Sequence, residues 1–350
     1  MKDIFYGKHI LWLFIGTIVT LTGVITQPVH AANPAYGSCQ TVTLPVAMTS
    51  ASPKNQTIVG DYCTPTAWAS GTHQLDIMVA GATYNRQYWD WPVEPATYSY
   101  VDKTLQAGRA TFAYDHLGKG DSSKPSGLAL TITVDSYVLH QVIQYFRSTG
   151  YAQTNVIGHS MGSMAAIEND AIHPGETNRL VVTGFIHLPA LSTALVNFFA
   201  HVEVAALDPQ FIGKITDPTY LTTGPGSRQA DFYSSSADPA VVAYDEAHKD
   251  TVSAGEATEF LDTFEQPSLL NLSKNVTAPT MVVVGRQDAL LCGLLVSCTS
   301  DGSILANEAP YYPSAANLTV KGIDSTGHDV ALHPSADTSF ALINQWLQTQ

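Results

Sequence analysis

A chain of 350 residues is long for one compact domain and short for two, which suits a single domain carrying a large insertion. With 45% hydrophobic and 13% charged residues it holds ample core material and is not a disordered chain. Its 16 Lys and Arg against 30 Asp and Glu give a net charge of −14 with no basic run, which excludes a protein that tracks nucleic-acid phosphates; solubility outside the cell is the plain reading of the acidity.

The first element in chain order is a targeting segment. Lys2 and Lys8 flank a polar start, Ile10 to Ile25 form an uncharged and largely apolar run, and Val29-His30-Ala31-Ala32 offers small residues for cleavage after Ala31 or Ala32. This is the order of a secretory signal, placed at residues 1–31, and it implies a secreted or extracytoplasmic protein. The competing reading, an uncleaved anchor, asks for about 20 apolar residues where the run offers about 16. No later segment is long and apolar enough to cross a membrane. Cys39, Cys63, Cys292 and Cys298 all lie beyond the signal, and an even count in an exported chain implies two disulfides. Of the three pairings, Cys39 with Cys63 and Cys292 with Cys298 is preferred because it closes two modest loops. No Cys-x-x-Cys or clustered Cys/His spacing points to a metal.

Residues 33 to 73 read as polar turns with short β-prone runs. Leu75 to Ala80 is a buried strand ending at Gly81, Tyr98 to Ala107 suits a helix, and Ala110 to Tyr114 is a second strand ending at Asp115. Between Val134 and Arg147, Tyr137, Val138, Val142, Ile143 and Phe146 recur at helical spacing. Asn155-Val156-Ile157 is a third strand running into Gly158, Met161 to Ile172 a helix, and Leu180 to Ile186 a fourth strand with Gly184 inside it. From His187 to Thr277 the periodicity breaks down in a stretch rich in Pro, Gly, Ser and Asp. Thr280 to Val284 restores the strand pattern, Leu318-Thr319-Val320 adds a strand, and Ser339 to Leu347 closes the chain with a helix.

Continuous apolar strands alternating with helices predict an α/β fold, a mostly parallel sheet covered by helices on both faces. The break predicts a cap over residues 188–277, inserted between a first part of the core, 32–187, and a second, 278–350. Such a cap is expected to shape the entrance of an active site; a structural elaboration far from the site is the alternative.

The motif with most chemical content is Gly158-His159-Ser160-Met161-Gly162, a G-x-S-x-G between a predicted strand and a predicted helix. In that context Ser160 occupies a sharp turn as a candidate nucleophile, with the helix N-terminus favouring negative charge beside it. A serine hydroxyl needs a base, and His328 in Gly327-His328-Asp329 follows the last strand. The base needs a carboxylate to orient it, and Asp288 follows the strand ending at Val284, where ligand chemistry gathers in parallel sheets. Asp324 competes for that role by its nearness to His328, whereas Asp329, as the neighbouring residue, points elsewhere.

With these residues in place, the sequence from about Leu75 onward, the cap excepted, resembles the α/β-hydrolase fold superfamily, secreted esterases and lipases included. The resemblance rests on the nucleophile elbow, the chain order Ser160, Asp288, His328, and Asp115-His116-Leu117-Gly118-Lys119-Gly120-Asp121-Ser122, similar to the family's D-x-x-G-x-G-x-S loop, whose role is structural. Val79-Ala80-Gly81-Ala82-Thr83 resembles the family's oxyanion loop, usually His-Gly-x, with Ala80 where the His would stand. The resemblance implies an oxyanion hole built from the Ala82 and Met161 amides, and serine-hydrolase chemistry with neither metal nor organic cofactor. Tyr84, Tyr88, Trp89 and Trp91 crowd the following loop, so Tyr84 and Trp89, with His187 at the end of the fourth strand, are candidate pocket residues; the alternatives are that the aromatics anchor a long loop and that His187 is a satisfied buried histidine. His159 is read as packing beneath the elbow.

The expected substrate is a small-molecule carboxylic ester or lactone. A peptidase or amidase on the same triad, which as an exopeptidase would want a carboxylate such as Glu168, Glu203, Asp245 or Glu246 in its pocket, and a low-turnover binding protein are the alternatives. Asn55, Asn271, Asn275 and Asn317 each begin a glycosylation sequon.

Overall fold

The computed structural model describes residues 33–71, 73–188, 193–264 and 266–349; the expected signal at 1–31 lies outside them. The chain opens with β1 (Gly37–Val46) and β2 (Gln56–Pro65), an antiparallel ribbon in which Cys39 stands opposite Cys63 and is disulfide-bonded to it. Then follow β3 (Gln74–Val79), the short helix α1 (Pro95–Tyr98), α2 (Tyr100–Gln106), β4 (Ala110–Tyr114), α3 (Ile132–Ser148), β5 (Gln153–His159), α4 (Met161–Ile172) and β6 (Arg179–Thr183). An intervening stretch holds α5 (Thr193–Ala200), β7 (Val202–Val204), β8 (Tyr220–Thr223), α6 (Arg228–Phe232), α7 (Pro239–His248), β9 (Val252–Ser253) and α8 (Ala254–Phe264). The chain closes with β10 (Thr280–Gly285), α9 (Asp301–Glu308), β11 (Leu318–Ile323) and α10 (Ala336–Thr349).

Eight strands make one sheet in the order β1-β2-β4-β3-β5-β6-β10-β11, parallel from β4 to β11 and antiparallel in the β1-β2 ribbon and where it joins β4. The central strands are mainly apolar and buried along nearly their whole length, as strands covered on both faces must be, with Asp76, Asn155 and His159 among the buried polar exceptions. Helix α3 packs on α4, and α10 on α2. Local chemistry sets the helix ends: the Thr131 hydroxyl accepts from the Val134 amide to start α3, and Asp238 caps α7 ahead of Pro239 at its first position. β6 and β10 pair directly, so the chain between them leaves the sheet and returns. There β7, β8 and β9 form a separate antiparallel sheet. No helix among the described residues is long and apolar enough to cross a membrane.

Three sequence expectations are corrected. Much of residues 33–73, read as polar turns with only short β-prone runs, is the two ten-residue strands β1 and β2. Their polar, Thr-rich faces are partly exposed, so no continuous apolar run announced them. The helix expected over 98–107 is broken at Ser99, whose extended backbone ends α1 while its hydroxyl caps α2 through the Asp102 amide. The fourth strand, expected to reach Ile186, stops at Thr183 because Gly184 turns to φ 57°.

Candidate active site

Between β5 and α4 the backbone of Ser160 takes φ 50° and ψ −119°, a conformation a non-glycine residue holds only when its surroundings impose it. Its amide donates to the Thr183 carbonyl at 2.8 Å, which ties the turn to β6. A Cβ on Gly158 would stand 2.5 Å from the Ser163 Cα, and one on Gly162 2.4 Å from the Val79 carbonyl oxygen. Strand, turn and helix therefore close on each other only with glycine at both positions of the motif.

The Ser160 hydroxyl lies 2.9 Å from Nε2 of His328, on the loop after β11, and Nδ1 of His328 lies 2.9 Å from Oδ2 of Asp288, on the turn after β10. The other Asp288 oxygen accepts from the Leu290 and Leu291 amides at 2.9 and 3.1 Å, which fixes the carboxylate and leaves Oδ2 for the imidazole. Burial pulls the His328 pKa down, but the charge and hydrogen bond of Asp288 and the charge of Asp329 outweigh it, and the net displacement is upward. Asp324, the competing acid, is 88% exposed and pairs with Arg286 at 2.8 Å, away from His328.

Beneath the serine lies a buried polar network. Asp329 Oδ1 meets Nε2 of His159 at 3.1 Å, and Asp329 Oδ2 accepts from the Tyr84 hydroxyl at 2.5 Å. The same hydroxyl lies 2.9 Å from Asp245, which also receives Tyr233 at 2.9 Å and both Nε and Nη2 of Arg228 at 2.8 Å. Burial pushes the Asp329 pKa up, against the lowering pull of His328, Arg228 and Tyr84. Burial likewise drives His159 well below the ordinary histidine value, with His328 adding to it, so the ring is neutral. Tyr84 keeps its proton because burial raises its pKa far above the ordinary value, and that one proton faces two carboxylates. Arg228, Tyr233 and Asp245 come from the intervening stretch, so the network joins it to the elbow and to the loop of His328. Nothing in the local sequence marks Arg228 or Tyr233 for this role; only its being the single arginine between residues 188 and 277 sets Arg228 apart.

Above the serine a cleft of about 640 Å³, solvent-filled mouth included, is walled by Phe185 of the core and by Leu195, Phe198, Phe199 and Phe260 of α5 and α8. Ser160, His328, Ala82 and Met161 border it, and Met161 is the first residue of α4, where an amide has no partner within the helix. Ala82 and Met161, the residues expected to form the oxyanion hole, thus border the same cleft as Ser160.

Tyr84, Trp89 and His187 do not line this cleft. Tyr84 is held in the network below the serine, and Trp89 is buried against Tyr88 and Tyr100, which makes both of them anchors of the loop after β3. His187 is tied to Glu308 through its amide and Nδ1 at 2.8 and 2.9 Å, stacks on Tyr311, and faces a separate cavity with Met164 and Glu168. The Asp115 loop is braced internally, with the Ser122 hydroxyl donating to the Asp115 carbonyl at 2.7 Å and the Asp121 amide to its carboxylate at 2.9 Å. Cys292 and Cys298 are disulfide-bonded across a loop directly after Leu290 and Leu291 of the cleft wall.

The model of the Alpha/beta hydrolase family matches residues 77–339, well over half of the chain. No curated protein sequence matches it. Among solved structures, the thermophilic esterase from Thermogutta terrifontis is similar with a TM-score of 0.61 and 18% identity, over 88% of this chain and 98% of that one. A monoacylglycerol lipase from Paleococcus ferrophilus aligns with a TM-score of 0.54 and 16% identity, over 79% and 95%. A peroxisomal alpha-beta-hydrolase from Saccharomyces cerevisiae aligns with a TM-score of 0.55 and 14% identity, over 89% of each. At these identities the likeness is one of fold.

Proposed function

This chain belongs to the alpha/beta hydrolase family, and from that premise we propose that it is a secreted serine hydrolase that cleaves carboxylic esters or lactones with an apolar acyl part. The observation that carries the reading is the hydrogen-bonded series Ser160–His328–Asp288 at the floor of an apolar cleft. His328 takes the Ser160 proton through Nε2 as the serine oxygen attacks the carbonyl carbon, while Asp288 holds Nδ1–H and stabilises the imidazolium. The Ala82 and Met161 amides receive the oxyanion, each such donor contributing about 3 kcal/mol to the barrier reduction. His328 then passes its proton to the departing alcohol, and water, activated by the same imidazole, releases the acid and restores Ser160.

The phenylalanine-rich wall supports an apolar acyl group, and the esterase and lipase among the similar structures agree with it. The described residues of that wall include no Asp or Glu, which disfavours an exopeptidase needing to hold a substrate amine. Asp245, one acid available for that task, is engaged by Arg228. The intervening stretch, from about 188 to 277, acts as a cap, because α5 and α8 supply the outer wall. Two disulfides and the leading sequence support export.

Hydrolysis of p-nitrophenyl esters of increasing chain length, compared between wild type and Ser160→Ala, tests the proposal. The variant should lose about 10⁴-fold or more in kcat while keeping the melting temperature within a few degrees. Equal turnover in both proteins overturns the assignment of Ser160.

A further inference from the structure

At the far end of α4 from Ser160, about 18 Å along the helix axis, three side chains with metal-ligating atoms converge on a partly exposed spot. His140 comes from α3, His173 from the C-cap of α4, and Glu176 from the turn that follows. Their ligand atoms all lie within 4.8 Å of one another. His140 Nδ1 is 2.8 Å from Oε2 of Glu176, and the two imidazoles stack with ring centroids 4.0 Å apart.

The geometry is built into the backbone. His173-Pro174-Gly175-Glu176 has Pro second, Gly third at φ 84°, and the Glu176 amide donating to the His173 carbonyl at 3.3 Å, the signature of a type II turn. A turn of this kind brings the side chains of its first and last residues to neighbouring positions. The turn is clamped from below: Arg147 donates to the Gly175 and Glu176 carbonyls at 3.0 and 2.7 Å, and the Thr154 hydroxyl to the Glu176 carbonyl at 2.9 Å. Gln144 holds the second carboxylate oxygen of Glu176 at 2.6 Å, an outer contact of the kind that orients a ligating carboxylate.

From this arrangement we infer that His140, His173 and Glu176 form a binding site for a divalent transition cation of the zinc class. Two imidazoles and one carboxylate suit zinc, nickel or copper, whereas calcium and magnesium demand oxygen ligands. Zinc binds such atoms at about 2.0–2.2 Å, which places tetrahedral ligands about 3.4 Å from one another. Ligands now within 4.8 Å reach that spacing by rotating partly buried rings out of their stack, with water in the fourth position. His140 exchanges its hydrogen bond to Glu176 for a shared metal, and the ion bolts α3 to the end of α4. The other such convergence among the described residues, His116 with Asp135 and Glu256, already contains a cation, for the Lys119 ammonium lies 2.9 Å from Glu256 in a fully buried cluster. The sequence carries no spacing motif for the surface site because His140 and Glu176 are 36 residues apart and meet only through helix packing.

The test is calorimetric titration of chelator-stripped protein with zinc chloride, on wild type, His140→Ala/His173→Ala and Glu176→Gln, with melting temperatures and p-nitrophenyl ester turnover measured beside it. Wild type should show one saturable zinc site and melt several degrees higher with zinc, with magnesium giving neither. The double variant should lose that site and that shift, Glu176→Gln should bind at least tenfold more weakly, and all should turn over ester at the wild-type rate. Equal zinc uptake by wild type and the double variant, or no saturable uptake by wild type, overturns the site. Ester turnover separates this outcome from misfolding and from any failure of the proposed hydrolase function.

Discussion

Asp329 follows His328 in the chain yet turns its carboxylate to the opposite side of the loop, 3.1 Å from Nε2 of His159, the residue that precedes Ser160. The two histidine rings stand 5.1 Å apart, each bonded to a different aspartate. Asp288 therefore orients the proposed base directly, while Asp329 acts on it through space from within the core. The groups facing His328 are Asp288 and Asp329, which raise its pKa, and Arg228, which lowers it, with neutral His159 and Phe232 against the ring.

The pH dependence follows from that balance. In the proposed mechanism turnover needs neutral His328, whose pKa is displaced upward, so the acid limb of kcat/KM should have its midpoint above the ordinary histidine value, with activity lost as pH falls through it. The stability linkage runs the other way: a pKa raised by folding favours the folded state fully below the unfolded value, and that contribution fades as pH rises through the folded one. Asp329→Asn removes one raising charge and should move the acid limb to lower pH while leaving a melting transition. An unmoved limb in a folded variant would show that Asp329 exerts no charge on the base.

The cleft wall should set chain-length preference. Ala257 on α8 borders the cleft among Phe198, Phe199 and Phe260. Ala257→Trp should fill it and lower kcat/KM for octanoate esters at least tenfold relative to acetate esters, about 1.4 kcal/mol of discrimination. An unchanged ratio between the two esters would place the acyl group elsewhere.

Arg228 and Asp245 form a fully buried bidentate pair. Arg228→Met strands the Asp245 carboxylate in the core, and such a loss costs about 3–5 kcal/mol. Urea unfolding should show that drop, and Arg228→Met/Asp245→Leu should recover part of it by removing the unpaired charge.

The two disulfides should contribute unequally. Their sequence separations are 24 and 6 residues. Loop-closure entropy then gives about 3.5 kcal/mol for Cys39–Cys63 and about 2.4 kcal/mol for Cys292–Cys298. Paired serine replacements compared by denaturant unfolding should reproduce that order. The second pair should additionally alter the chain-length profile, since its loop continues from Leu290 and Leu291 in the cleft wall.

Much of the fold was legible because its central strands are short continuous apolar runs bounded by Gly or Asp, and its chief site motif lies where one of them meets a helix. β1 and β2 were legible only as short β-prone runs among polar turns, since their partly exposed, Thr-rich faces give no continuous apolar pattern. Ser160, Asp288 and His328 could be picked out as strand-end residues in the order the family uses. The aromatics after β3 misled because Tyr84 and Trp89 look the same whether they face a substrate or fill a core; only the pairing of Tyr84 with Asp245 and Asp329 distinguishes the cases. Likewise His187, expected to close the fourth strand, lies on the loop beyond Thr183, and its local sequence gave no hint of Glu308, which arrives from α9.

The carbonyl of Phe232, on α6, accepts from the His328 amide at 2.8 Å, and the Ser234 amide donates to His333 on the same loop at 3.0 Å. Replacing the stretch between β6 and β10 wholesale, as one would exchange a cassette to graft a new specificity, would therefore also remove the scaffold under the proposed base. New specificity should therefore be sought by changing α5 and α8, which wall the cleft, while α6 is kept because its end holds the loop of the proposed base.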